Sequence, residues 1–305
     1  YIDIAEADSM LRLVRAEHHL LGALARASQG SYAAGMVGQQ EPLRAEVEML
    51  RLSGSAAELV AMRSQALARL NALLDQSPAT PLAVARFPER LLNVTTASGT
   101  SGAFPDTTFG AMAGNSPLPP PDSLRLLVTT ANPRLMAIRA NLAAQSARVR
   151  LAERDARPDP TVSLQYGQRD GRSDMISAVV KIPLAIRQDT RQRGIALAER
   201  ESLGALDSDE LALAATLQAE VHAAAQDVEL HRTRLLLFHQ GILPRARAAV
   251  AATLASYRAG SASFDSVLGA YLALFRDEAE TIRLFAGFSR AVTLLETIVG
   301  VEVIS

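Results

Sequence analysis

The side chains that could bind a metal or drive a reaction are spaced against doing either. His222, His231 and His239 lie nine and eight residues apart, not the three or four that place two ligands on one helical face. His18 and His19 are adjacent and diverge on a helix. The chain has no Cys, which removes disulfides, thiolate ligands, a Cys nucleophile and a lipid-accepting thiol, and is compatible with an oxidising compartment. No Gly-rich phosphate loop, nucleophile elbow or His-Glu zinc helix occurs. We therefore expect no enzyme, no cofactor and no protein-held metal. A net charge of −1 gives no electrostatic case for nucleic acid.

Two acids stand in a more informative place. The phrase Tyr32-Ala33-Ala34-Gly35, followed by Leu43, returns as Tyr257-Arg258-Ala259-Gly260, followed by Leu268, at a constant offset of 225 (257−32, 260−35, 268−43). Each copy closes a long Ala/Leu-rich helical pattern and is followed by another. A Gly after the last periodic residue stops a helix and the next polar residues restart one. The chain thus contains two long helical hairpins of related design. Gly35 and Gly260 are expected in the left-handed turn, with Tyr32 and Tyr257 packing across the hairpin ends. Glu41 and Asp265 begin the two return helices, where an acid favourably meets the helix dipole.

The elements that hold these turns are long. Helical patterns run from about Ile4 to Ser31 and from Gln39 to Asp75, making residues 1–76 a first helical hairpin. Residues 77–122 are Pro-, Gly-, Ser- and Thr-rich and read as a linker. Residues 123–305 form a second repeat. It opens with a helix from Ser123 to Arg157, kinked near Asn132-Pro133. A period-2 stretch then spans about 161–184. There Val162, Leu164 and Tyr166 share one face with Ile176, Ala178, Val180, Ile182 and Leu184, while Thr161, Ser163, Gln165, Ser177 and Lys181 lie opposite. Lys181 is the only lysine. From Thr190 to Ala259 the helical pattern covers 70 residues, a length of roughly 105 Å. It carries a heptad seam of Leu217, Val221, Ala224, Val228, His231, Leu235, Phe238 and Ile242. Gly241 and Pro244 should kink or break it into two stacked pieces. The last helix runs from about Ser263 to Val299. Apolar residues make up 49% of the chain and aromatics only 4%, which suits close-packed helices better than a thick globular core. No run approaches the roughly 18–20 apolar residues of a membrane-spanning helix.

The order of helix, two-faced β-hairpin, very long helix, Tyr-x-x-Gly turn and return helix resembles the outer-membrane factor (TolC-type) family of efflux channels. Local phrases are similar too. They are Tyr32 to Leu43 followed by Arg44-Ala-Glu-Val-Glu48, Leu70-Asn-Ala-Leu-Leu74, Asn132-Pro133, Pro158-Asp159 and Ile182-Pro183-Leu184. The Tyr32 region resembles most the branch serving heavy-metal exporters. The resemblance covers nearly the whole chain.

It implies a mainly α protomer of a trimeric α-barrel/β-barrel channel, made of coiled-coil-like helical hairpins and one transmembrane-type β-hairpin. It also implies an outer-membrane location with most of the chain in the periplasm, and partnership with a periplasmic adaptor and an inner-membrane pump. Such a channel is a passive conduit for exported metal ions or small toxic compounds. Lys181 would face the channel water. Tyr32, Gly35, Tyr257 and Gly260 would lie where the adaptor docks, and Glu41 and Asp265 would line a constriction whose carboxylates attract cations. The chain departs from the family in lacking the first helix and first β-hairpin. A trimer would offer six strands (two times three), too few for a wide barrel. Because it begins at Tyr1 inside a helical pattern, we expect a piece of a longer precursor. The rival readings are a periplasmic adaptor and a coiled-coil scaffold. An adaptor should flank one hairpin with several soluble β-domains, and this sequence shows two hairpins and one strand pair.

Overall fold

The computed structural model describes residues 1–35, 37–88, 91, 118–155, 160–182 and 188–304. Its elements are α1 (Ile2–Ala33), α2 (Gln40–Leu73), α3 (Pro121–Ala131), α4 (Pro133–Asp155), β1 (Thr161–Gly167), β2 (Met175–Lys181), α5 (Gln188–Leu236), a π-helical turn (Leu237–Ile242), α6 (Leu243–Arg258) and α7 (Phe264–Val299). This is the expected mainly α fold of long helical hairpins with one antiparallel strand pair. The chain forms two compact units. One comprises Tyr1–Pro120, His222–Thr297 and Glu302–Ser305, and the other Pro121–Val221 and Ile298–Val301.

In the first unit α1 and α2 form one hairpin, and α6 with α7 the other. Val14, Leu21 and Ala25 of α1, Ala45 and Leu52 of α2, and Phe264 and Leu268 of α7 are buried in one cluster. Further along, Met10 and Leu13 meet Ala279 and Ile282. Ions close the same seam, since Arg290 of α7 bonds Asp3 at 2.9 Å and also Glu6. Residues 77–88 carry no helix or strand, yet they lie against this unit. The carboxylate of Asp8, a buried residue, accepts from Arg63 Nε at 2.6 Å and from the Ala85 amide at 2.8 Å. Arg63 also donates to the Leu82 carbonyl, and Asn71 Nδ2 to the carbonyls of Pro78 and Thr80. The ring of Phe87 meets Phe285 edge-on at 4.7 Å. These groups give an extended segment the partners that regular structure would otherwise supply.

The 225-residue offset extends from sequence into geometry. Ala34 and Gly35 donate to Gly30 and Tyr32, as Ala259 and Gly260 donate to Ala255 and Tyr257. Gly35 and Gly260 have φ of 71° and 77°, the left-handed conformation that ends a helix. At the far end of each return helix the next positive φ falls at Asp75 (54°) and Gly300 (88°), again 225 apart (300−75). Asn71 bonds Pro78 seven residues on, and its counterpart Glu296 accepts from Val303.

One expectation is corrected and one is made specific. The helix expected from Ser123 to Arg157 is two helices, because Asn132 caps the second. Its Oδ1 accepts from the Arg134 and Leu135 amides at 2.8 and 3.2 Å, and Pro133 takes the first position, where a missing N–H costs nothing. Asn132 Nδ2 donates to the Ile298 carbonyl. The kink or break expected at Gly241 and Pro244 takes the form of the π-helical turn. Pro244 has no N–H for the carbonyl four residues back, and the wider turn accommodates this without ending the helix. One consequence is a seam shifted by one residue. Leu217, Val221, Ala224, Val228 and Leu235 are buried as the heptad predicts, but beyond the turn Leu243 and Val250 are buried while Phe238 and Ile242 are only half-buried.

Candidate functional site

The strand pair is in register Thr161↔Lys181 through Gly167↔Met175. That register puts Val162 opposite Val180, Leu164 opposite Ala178, and Tyr166 opposite Ile176, all on one face because side chains alternate. The face is open, with Leu164 at 75% and Ile176 at 71% exposure. The other face carries Thr161, Lys181, Ser163, Gln165 and Ser177, interrupted by Val179 and Met175. Lys181 lies exposed on that polar side. An apolar face this open needs a covering that water does not provide. Leu184 and Pro183, expected at the hairpin's end, and Pro158-Asp159 before it, lie outside the described residues, as do residues 92–117 of the expected linker.

The second locus lies at the turns. Asp265, in the first turn of α7, forms an ion pair with Arg44 of α2. Glu41, in the first turn of α2, has one carboxylate oxygen buried without a hydrogen-bond partner. Its pKa is raised, first by burial and then by the charge of Asp265. Glu41 and Asp265 therefore share one electrostatic site, with Arg44 as its cation. Sequence reasoning quoted Arg44 without giving it a role; its position three residues after Glu41, one helical turn on, was the available signal. Tyr257 packs against the cluster holding Phe264 and Leu268, whereas Tyr32 is 44% exposed. Both tyrosines close left-handed Gly turns, but only Tyr257 is part of a core. Among the described residues no three His, Asp or Glu side chains converge on a metal-sized site, and no helix is long and apolar enough to cross a membrane.

No family model and no curated protein matches the sequence. Solved structures do. The outer-membrane channel OprN matches over 98% of this chain at 19% identity and a TM-score of 0.68. The chain has the fold of the outer-membrane channels. The outer membrane protein VceC from Vibrio cholerae matches 98% at 16% identity and a TM-score of 0.69. CusC, solved to follow transmembrane channel formation, matches 99% at 15% identity and a TM-score of 0.74. This chain spans 65%, 67% and 66% of those three channels respectively.

Proposed function

We propose that the chain is a protomer of a trimeric outer-membrane efflux channel. It gives strands 161–181 to a shared barrel and its long helices to a periplasmic tunnel. It conducts passively, and transport is powered by an inner-membrane pump reached through a periplasmic adaptor at the turns around Tyr32, Gly35, Tyr257 and Gly260. The cargo is a metal ion or small toxic compound that passes without being held. Glu41 and Asp265 line the constriction, with Arg44 holding Asp265 in place. Lys181 faces the channel water.

The observation that carries this reading is the exposed face of Val162, Leu164, Tyr166, Ile176 and Val180, backed by a polar face. A barrel strand shows lipid an apolar side and the lumen a polar one. The absence of Cys makes the test clean. Leu164→Cys and Gln165→Cys, each carrying a nitroxide, are compared in lipid vesicles for collision with oxygen and with a water-soluble nickel chelate. We expect position 164 to meet oxygen preferentially and position 165 the chelate. Equal access to the chelate at both positions overturns the barrel role.

A further inference from the structure

Where the two helical hairpins of the first unit meet, two carboxylates face each other and only one of them has an arginine. Glu17 of α1 is buried, at 8% exposure, and its Oε1 has no hydrogen-bond partner. Across from it, Glu278 of α7 acts on it electrostatically. Glu278 in turn accepts from Arg247 of α6 at 3.0 Å. The other charges at this level are engaged or turned to water. On α7, Glu280 is held by Arg234 and Arg283 at 3.6 and 3.5 Å. On α2, Arg51 and Glu48 pair with each other, Glu58 is exposed, and the residues packed nearby are Leu52, Ala56 and Leu59. On α1, Arg15 is exposed and His18 lies edge-on to His19. On α6, Arg245 bonds the Gly241 carbonyl. Among the described residues no cation is paired with Glu17.

A buried carboxylate without a partner is costly when ionised and far less so when protonated. We propose that Glu17, Glu278 and Arg247 form a proton-operated latch between the two hairpins. With Glu17 protonated, α1 seats against α6 and α7; when Glu17 ionises, repulsion from Glu278 and the demand for water push α1 away. Burial raises the Glu278 pKa as well, but Arg247 opposes that rise, and Glu17, without a cation of its own, carries the proton.

Burial, followed by the charge of Glu278, raises the Glu17 pKa from 4.5 to about 7. Below about 4.5 the group is protonated whether the chain is folded or not, and the latch contributes fully. Between about 4.5 and 7 only the folded chain holds the proton, so stability falls as pH rises. Above about 7 both states are ionised and the loss is complete. The loss amounts to roughly three-hundredfold in the folding equilibrium. The latch does not depend on the channel reading, and its test needs no membrane conductance.

The test uses the full chain. Urea midpoints are measured from pH 4.5 to 8.5 for the natural sequence, Glu17→Gln and, as a second variant of different character, Glu17→Leu. Nitroxides at His19→Cys and Ala248→Cys report the separation of α1 and α6 over the same range. We expect the natural chain to weaken as pH rises to about 7 and then level off, with the label distance lengthening in step. Either Glu17 variant should lose most of that slope, exceed the natural chain in stability at pH 8, and hold a constant distance. A variant that keeps the natural slope, or a natural chain whose distance ignores pH, overturns the latch.

Discussion

Arg44 and Asp265 join the first turns of the two return helices by an ion pair whose side chains are both more than half exposed, at 55% and 53%. Exposed pairs contribute little to stability, typically about 0.5 kcal/mol, because water screens them and two long side chains must be held still. A contact that stabilises so little can still set which arrangement of the turns is populated. Arg44→Ala, Asp265→Ala and Glu41→Ala should therefore leave the urea midpoint nearly unchanged. In a reconstituted channel each should raise ion leak. Unchanged leak in all three would remove these residues from a gate.

Asp8 behaves oppositely. Its carboxylate serves Arg63 and the Ala85 amide together, so removing it leaves a part-buried guanidinium and a buried N–H without their acceptor. Breaking such a pair costs about 3 kcal/mol. Asp8→Ala should lower the urea midpoint accordingly and expose the Ala85 amide to rapid hydrogen exchange. Asp8→Asn should recover part of the loss, since one amide oxygen still accepts from one donor.

The helices and the strand pair with its two faces were legible because each carries many residues in one period. Val162 through Tyr166 alternate without exception, and the 225-residue repeat marks both hairpin turns. What sequence reading missed depends on single residues meeting across the chain. Asn132 looked like a kink, and only its contacts with Leu135 and Ile298 reveal a cap. Pro244 looked like a kink or a break, because the preceding turn's capacity to widen is not written in residue types. Glu17 drew no notice in the sequence, since the charge it meets, Glu278, lies more than two hundred positions away. The Glu41 and Asp265 pairing was half legible: Glu41 matches Ser266 in the repeat and Asp265 lies one step off it, whereas the role of Arg44 was not written there.

Two glycine-ended helices should respond differently to the same substitution. Gly260 has φ of 77° with open space where a Cβ would stand, whereas at Gly300 a Cβ would come within 2.6 Å of the Ala131 carbonyl oxygen. Gly260→Ala should cost about 1 kcal/mol, the conformational penalty alone. Gly300→Ala adds a backbone clash and should cost about 3 kcal/mol. Asp75→Gly, at the position matching Gly300, should stabilise by about 0.5 kcal/mol by relieving its positive φ. Urea midpoints of the three variants give the ranking directly.

Gly287 lets α7 approach the helix carrying His231. A Cβ there would lie 2.7 Å from the imidazole carbon Cε1 and 2.9 Å from Nδ1, and that Nδ1 is buried without a hydrogen-bond partner. On that side the ring is therefore held by packing rather than by a bond. Gly287→Ala must displace it and should cost about 1–3 kcal/mol, the usual penalty for overfilling a packed contact. His231→Ala opens the same space, so the double variant should be more stable than Gly287→Ala alone. A double-mutant cycle with urea midpoints measures this coupling. A cost of Gly287→Ala that persists in the double variant would place the strain in the helix backbone instead of at the ring.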